Sequence, residues 1–480
     1  MERTSESRPR PVSPADVASP LRGGEGARFA RPDRRTFASI GWVLMGLLGV
    51  SVVIGVLLQV PCQTGGYELP RAGFRMCQSP VALAMTGDTL PDSAGRITSG
   101  LSGFAPLTYW FVVLMSGMGA TAAEAMGLLL VLNTLAFAAM GTGVIALARA
   151  IGFGSPRPRA VSLSWVAVAL VSPVVVFSIG QSLDPVGVAL AVWACVLLSG
   201  DRSTAALLSA GGMLATAAFA GPLALIVLVG VLIGAARDRG HAVLVLAGFA
   251  LTTGVLTLAD GRLPSRLTVW LDDAVDRGSI ASVVLTQNWG DEPTFATGLL
   301  VVWTLGIVAI AAMATSTMML KPTVAEAVDQ DAVSGGSADP SSSESPVAVL
   351  RRLERADGVA HLRQMVLTIA ALLALSVVLA PSSSTSMSLW LLPFAALAVR
   401  QLPVMGLWFF AELGFAIAVP LTDVAELDSS IGLAPTWMGL LTLLRFFSLT
   451  LVMAFALDEL FRTGRRRAAR REKTLHDAEA

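Results

Sequence analysis

The sequence predicts an all-α membrane protein of about twelve transmembrane helices, with a short re-entrant helix and short outer amphipathic helices. Three observations carry this prediction. First, 54% of the 480 residues are hydrophobic and 14% are charged, more apolar material than a water-soluble core of that length encloses. Second, the apolar residues gather in runs of ~20, enough to cross a ~30 Å hydrocarbon layer at about 1.5 Å per residue. Third, arginines and carboxylates segregate to alternate loops, as they do when one set of loops stays in the cytoplasm. A formal net charge of +0 and a mean hydropathy of +0.69 average over that segregation.

In chain order, residues 1–35 are rich in Pro, Ser, Gly and Arg and read as a cytoplasmic tail without fixed structure. The first span occupies residues 40–60, a full-length anchor rather than a signal peptide, and an outer loop, 61–104, follows. Residues 105–119 reach only ~22 Å as a helix, too short to cross, so they read as re-entrant. Further spans are expected at 123–148, 161–179, 185–198, 204–219, 222–236, 242–259, 295–314, 365–380, 388–399, 402–420 and 437–457, which makes twelve. The stretch "AFAGPLAL" (218–225) carries a Gly-Pro break, hence a hairpin of short helices of the kind that borders a cavity. A second outer segment, 260–293, mixes Trp270, Leu271, Val275 and Ile280 with carboxylates, as an interfacial amphipathic helix does. The N-terminal membrane region thus covers 36–320. A flexible cytoplasmic linker, 321–363, includes "SGGSADPSSSESP" and reads as a tether. The C-terminal membrane region, 364–460, is followed by a basic tail, 461–480, with "RTGRRRAARREK".

Arg149, Arg202, Arg237, Arg352 and Arg400 fall on one side of this arrangement, and Asp88, Asp260, Asp272, Glu292 and Asp423 on the other. Both termini are therefore expected in the cytoplasm of a multi-pass plasma-membrane protein. Membrane lipids are its expected surroundings, and no nucleic-acid partner is expected. His241, His361 and His476 all fall on the cytoplasmic side, which excludes an outer His-based metal site or a Ser-His-Asp triad.

Cys62 and Cys77 stand fifteen apart in the first outer loop, where thiols oxidise. A disulfide between them would hold the loop against its anchor helix; the rival reading is a pair of free, buried thiols. Cys195, inside an apolar span, reads as core. Asp88 and Asp92 are the carboxylates of "TGDTLPD", candidates for a general base on a rigid loop or members of a solvated turn. Asp184 in "IGQSLDPVG" stands at an outer helix junction, either as a polar site group or as a helix N-cap ahead of Pro185.

Two charges lie inside spans. Glu412 comes eight residues before Pro420, and Arg445 eight residues after Trp437, on consecutive antiparallel spans, so both sit ~12 Å below the outer boundary and should pair. The pair reads as a clamp between two helices or as a group that binds a lipid phosphate or moves a proton.

Several stretches in succession carry a resemblance: "MCQSP" (76–80), "GFAPLTYW" (103–110), "SLDP" (182–185), "AFAGP" (218–222), "VDRGSIASV" (275–283) and "LWLLPFAALA" (389–398), followed by Glu412 and Arg445. Together they resemble the actinobacterial membrane glycosyltransferases of the C superfamily, the polyprenyl-phosphate-mannose-dependent mannosyltransferases and their relatives. The resemblance covers most of the chain. It also departs from the family pattern at three places. Pro80 stands where the family has its catalytic aspartate, no lysine precedes the break in "AFAGP", and Ser182-Leu183 replaces an Asn-Trp ahead of Asp184.

The resemblance implies an inverting transfer of a sugar from a polyprenyl phosphate to a cell-envelope glycan or glycolipid on the extracytoplasmic side. An outer carboxylate would activate the acceptor hydroxyl while basic residues hold the phosphate. On that expectation Asp88 or Asp92 acts in place of Pro80, with Asp184 as a further polar group and Arg266 and Arg277 near the phosphate. No cofactor and no metal-ligand set are expected, with a divalent cation left open. The alternative is a catalytically degenerate relative that binds lipid-linked substrate or scaffolds envelope assembly. A secondary transporter is a third reading, kept by the short, discontinuous spans.

Overall fold

The computed structural model describes residues 34–77, 79–86, 104–151, 166–167, 170–199, 203–235, 238–261, 278–286, 292–319, 346–379, 385–399 and 401–479. Every regular element among them is a helix. In chain order these are α1 (Arg34–Gly65), α2 (Arg71–Phe74), α3 (Pro80–Thr86), α4 (Pro106–Gly117), α5 (Ala122–Ala150), α6 (Pro173–Ser178), α7 (Asp184–Ser199) and α8 (Thr204–Ala220). The second half holds α9 (Ala224–Ala235), α10 (Arg239–Ala259), α11 (Ile280–Thr286), α12 (Glu292–Met319), α13 (Pro346–Leu379), α14 (Thr385–Ala398), α15 (Leu402–Leu427) and α16 (Pro435–Glu479).

Local chemistry sets many of the starts. At α5 the Thr121 hydroxyl accepts from Glu124 N at 3.3 Å while Glu124 Oε2 accepts from Thr121 N at 2.8 Å, a reciprocal capping box. Ser172, Ser203 and Asp238 cap α6, α8 and α10 through their side-chain oxygens. Pro106 opens α4, where its missing N–H leaves no helical bond unmade.

Among the described residues, seven helices are long and apolar enough to cross a membrane: α1, α5, α10, α12, α13, α15 and α16. Five more apolar helices, α4, α7, α8, α9 and α14, are 10–17 residues long. The described part of the expected span at 161–179 is interrupted: Ser172 caps the six-residue α6, its side chain accepting from the amide of Val174 ahead of a proline, and residues 161–165 and 168–169 lie outside the described residues. Pro420 does not end its helix either, since α15 runs on to Leu427. Of the expected linker, residues from Pro346 onward are in α13, where "VAVLRRLERA" is rich in helix formers, and 321–345 lie outside the described residues. The expected basic tail is a continuation of α16 out to Glu479, again through Ala and Arg.

α13 lies at the centre, with 89% of its apolar window buried against α9, α12, α14 and α16. α10 and α12 stand at the edge, with 11% and 6% of theirs buried, so their outward faces have the character of lipid-facing surface. α8 and α10 meet backbone to backbone. A Cβ on Gly211 would stand 2.0 Å from Val245 O, and one on Gly248 2.1 Å from Leu208 O. Small residues permit such an approach where apolar side chains gain nothing by leaving lipid.

Candidate functional site

The site is built around the five residues between α6 and α7, 179–183. Their backbone is held by side chains from three other elements, all buried. Asn133 of α5 donates through Nδ2 to Ile179 O at 2.7 Å and to Ser182 O at 2.8 Å. The Ser79 hydroxyl donates to Gly180 O at 2.6 Å, and Thr108 Oγ1 of α4 accepts from Leu183 N at 3.1 Å. Gln59 of α1 presses on the same turn, its amide carbon 2.8 Å from where a Gly180 Cβ would stand. A turn inside an apolar bundle must have its peptide groups satisfied by protein, and these side chains do so.

The turn delivers Asp184 into the interior, where it is 9% exposed. It is the first residue of α7 and not the cap: its oxygens go elsewhere, which corrects the N-cap expectation. Oδ2 accepts from the Ser182 hydroxyl at 2.6 Å and Oδ1 from Trp390 Nε1 at 3.0 Å, and Ser386 adds a third hydrogen bond. Two glycines make room. A Cβ at Gly187 would come within 2.8 Å of the Trp390 ring, and one at Gly221 within 2.3 Å of Asp184 Oδ1. The junction before α7, the break between α8 and α9, and the start of α14 therefore meet at one point, although they are far apart in the chain.

α14 has a second buried carboxylate on its other face. Ser386 and Trp390 are four apart and share a side of the helix, while Ser388 lies about 160° away. Ser388 Oγ donates to Glu412 Oε1, which also accepts from Trp408 Nε1 at 3.0 Å and from Arg445 Nε at 2.9 Å. Arg445 Nη2 donates to Ser388 Oγ at 2.9 Å, and its guanidinium lies 4.2 Å from the centre of the Phe415 ring. Glu412 is 1% and Arg445 0% exposed. Their pairing clamps α15, α16 and α14 together.

The loop that follows α1 is anchored beside the pinned turn. Cys62 and Cys77 form a disulfide with a Cα–Cα distance of 6.0 Å. Tyr67, between them, is buried, and burial pushes its phenol up to about 12. Ser79 is the residue ahead of α3, accepting from Ala82 N at 3.4 Å, and Pro80 is the first helical residue.

Of the sequence-derived candidates, Asp184, Glu412, Arg445, Cys62 and Cys77 are placed by the structure. Asp88, Asp92, Arg266 and Arg277 lie outside the described residues. Among the described residues no group of three or more His, Cys, Asp or Glu side chains is arranged to hold a metal. The residues that sequence reasoning missed are Ser79, Thr108, Asn133, Ser386 and Ser388. Their only signal is being polar within apolar stretches. Comparison with known proteins gives no matching family and no matching curated relative.

Proposed function

We propose that this is an integral protein of the plasma membrane that takes a polyprenyl-phosphate-linked sugar on its outer side and transfers it to a cell-envelope glycan or glycolipid. The observation that supports this reading is the meeting of "SLDP", "AFAGP" and "LWLLP" around Asp184. Three of the stretches on which the glycosyltransferase resemblance rests are brought into contact by Trp390 and Gly221. In this reading Asp88 or Asp92 is the base, Asp184 orders the wall of the site, and Arg266 and Arg277 face the phosphate. The C-superfamily architecture of about twelve spans, with both termini in the cytoplasm, belongs to the same proposal.

A second reading, a relative that binds lipid-linked substrate or scaffolds assembly without turnover, is favoured by two observations. Pro80, where the resemblance places the catalytic aspartate, is the first residue of a helix and has no proton-accepting group. Both oxygens of Asp184 are already engaged.

Asn at positions 88, 92 and 184 separates the two readings, scored by envelope glycolipid in a strain lacking the wild-type gene. Asp184→Asn keeps an amide oxygen for Trp390, so the fold is retained. Transfer predicts loss of glycolipid product on Asp88→Asn or Asp92→Asn at normal protein level. Full complementation by all three would leave only the binding or scaffolding reading.

A further inference from the structure

We propose that the part of α16 beyond its apolar stretch binds acidic phospholipid headgroups of the membrane face at which it emerges, chiefly through Arg465, Arg466 and Arg467. The apolar stretch runs from Pro435 to Arg462, and the helix continues without a break to Glu479. Residues 462–471 hold six arginines and no carboxylate, and Lys473 follows.

Length decides which of these charges meet the membrane. The 28 residues of the apolar stretch, at about 1.5 Å each, cover about 42 Å, the thickness of a bilayer with its headgroup layers, so Arg462 falls among headgroups. Asp458 and Glu459 mark the inner edge of that layer, where Arg462 and Arg363 hold them at 2.9 Å and 2.6 Å. Further along the same helix Arg465, Arg466 and Arg467 stand about 4–8 Å beyond Arg462, and Arg470, Arg471 and Lys473 about 12–17 Å. The potential of a charged leaflet decays over about 8–10 Å at ordinary ionic strength. The first group is therefore held by an acidic surface and the second is largely screened from it.

The helix itself supplies a second argument. Arg462 and Arg466, Arg466 and Arg470, and Arg467 and Arg471 are each four apart, where like charges on one helix repel. An acidic layer beside the first of these residues relieves that repulsion. Further basic groups stand at the same end of the bundle. Arg363 of α13 bonds Glu459, His361 of α13 meets Gly234 O near the end of α9, and α10 starts soon after, at Arg239, beside Asp238.

The test uses the full chain in detergent micelles, carrying an environment-sensitive dye on an Ala468→Cys thiol. Cys62 and Cys77 are bonded to each other and Cys195 is buried, so the introduced thiol is the one that reacts. Phosphatidylglycerol or phosphatidylcholine is then titrated in. The expected dye response is half-complete at about ten-fold less phosphatidylglycerol than phosphatidylcholine, and is lost in about 1 M NaCl. Each arginine at an acidic surface contributes about five-fold, so Arg465→Gln/Arg466→Gln/Arg467→Gln should raise the half-point for phosphatidylglycerol about ten-fold or more. Arg470→Gln/Arg471→Gln/Lys473→Gln should move it by less than about three-fold. Unchanged tryptophan emission establishes that both variants are folded. Equal response of the wild type to the two lipids overturns the proposal without recourse to any variant. So does an equal or larger loss from the distal triple variant, because charge is then read along the whole run, as by a soluble polyanion such as RNA, and not at a surface.

Discussion

Replacing Glu412 by Gln removes one negative charge from the α14–α15–α16 contact while keeping an amide oxygen for the Ser388 and Trp408 donors. The variant therefore isolates charge from shape. Arg445, 0% exposed, is left with its guanidinium stripped of both water and counter-ion. Removing one partner of a buried pair costs about 3–5 kcal/mol, chiefly because the survivor stays charged. Arg445→Met has the mirror effect: it leaves Glu412 uncompensated and also forfeits the contact with Phe415, 4.2 Å away. In the Glu412→Gln/Arg445→Met protein neither orphan charge remains. Its loss should fall short of the sum of the single losses by about 2–3 kcal/mol. Denaturant unfolding in mixed micelles, with tryptophan emission as the signal, gives the three differences. Additivity within about 0.5 kcal/mol would refute the argument, since residues bonded at 2.9 Å in a dry interior must couple.

Gly221→Ala places a methyl 2.3 Å from Asp184 Oδ1 and 2.6 Å from the Trp390 ring, so it should destabilise by about 1–3 kcal/mol and shift Trp390 emission; an unchanged melting curve would contradict the packing. Cys77→Ser should cost about 3 kcal/mol, the same as reducing the wild-type protein, and the variant should be indifferent to reductant. Tyr67→Phe removes a buried hydroxyl without a partner among the described residues and should leave neutral-pH stability equal or higher. Because the folded phenol titrates at about 12 rather than 10.0, the wild type binds more protons folded than unfolded between those values. Its stability is thus intact below the lower value and falls as pH rises toward the upper, a loss the Phe variant should lack in an alkaline melting series.

How far the sequence could be read depended on how many residues shared a signal. The apolar runs behind α1, α5, α10 and α12 repeat one message over many positions, so their existence was plain. The Glu412–Arg445 contact was legible from two offsets, even though Pro420 lies inside α15 and not at its end. An internal proline forfeits a single backbone bond, which neighbours in a bundle tolerate. The break at Ser172 was harder, for a serine before a proline inside an apolar run is compatible with either a continuous or an interrupted helix. Hardest were Ser79, Thr108 and Asn133. Each is a lone polar residue with no period, and its partner, the backbone of 179–183, lies between 46 and 101 positions away. Trp390 reaches Asp184 across 206 positions, and no local pattern announces that.

α14 is a thin partition between two compartments of charge. Trp390 and Ser386 brace one wall and Ser388 the other, so any roll of this rod that lets go of Asp184 also swings Ser388 away from Glu412. The grip on one carboxylate is therefore tied, through the rod's own backbone, to the grip on the other.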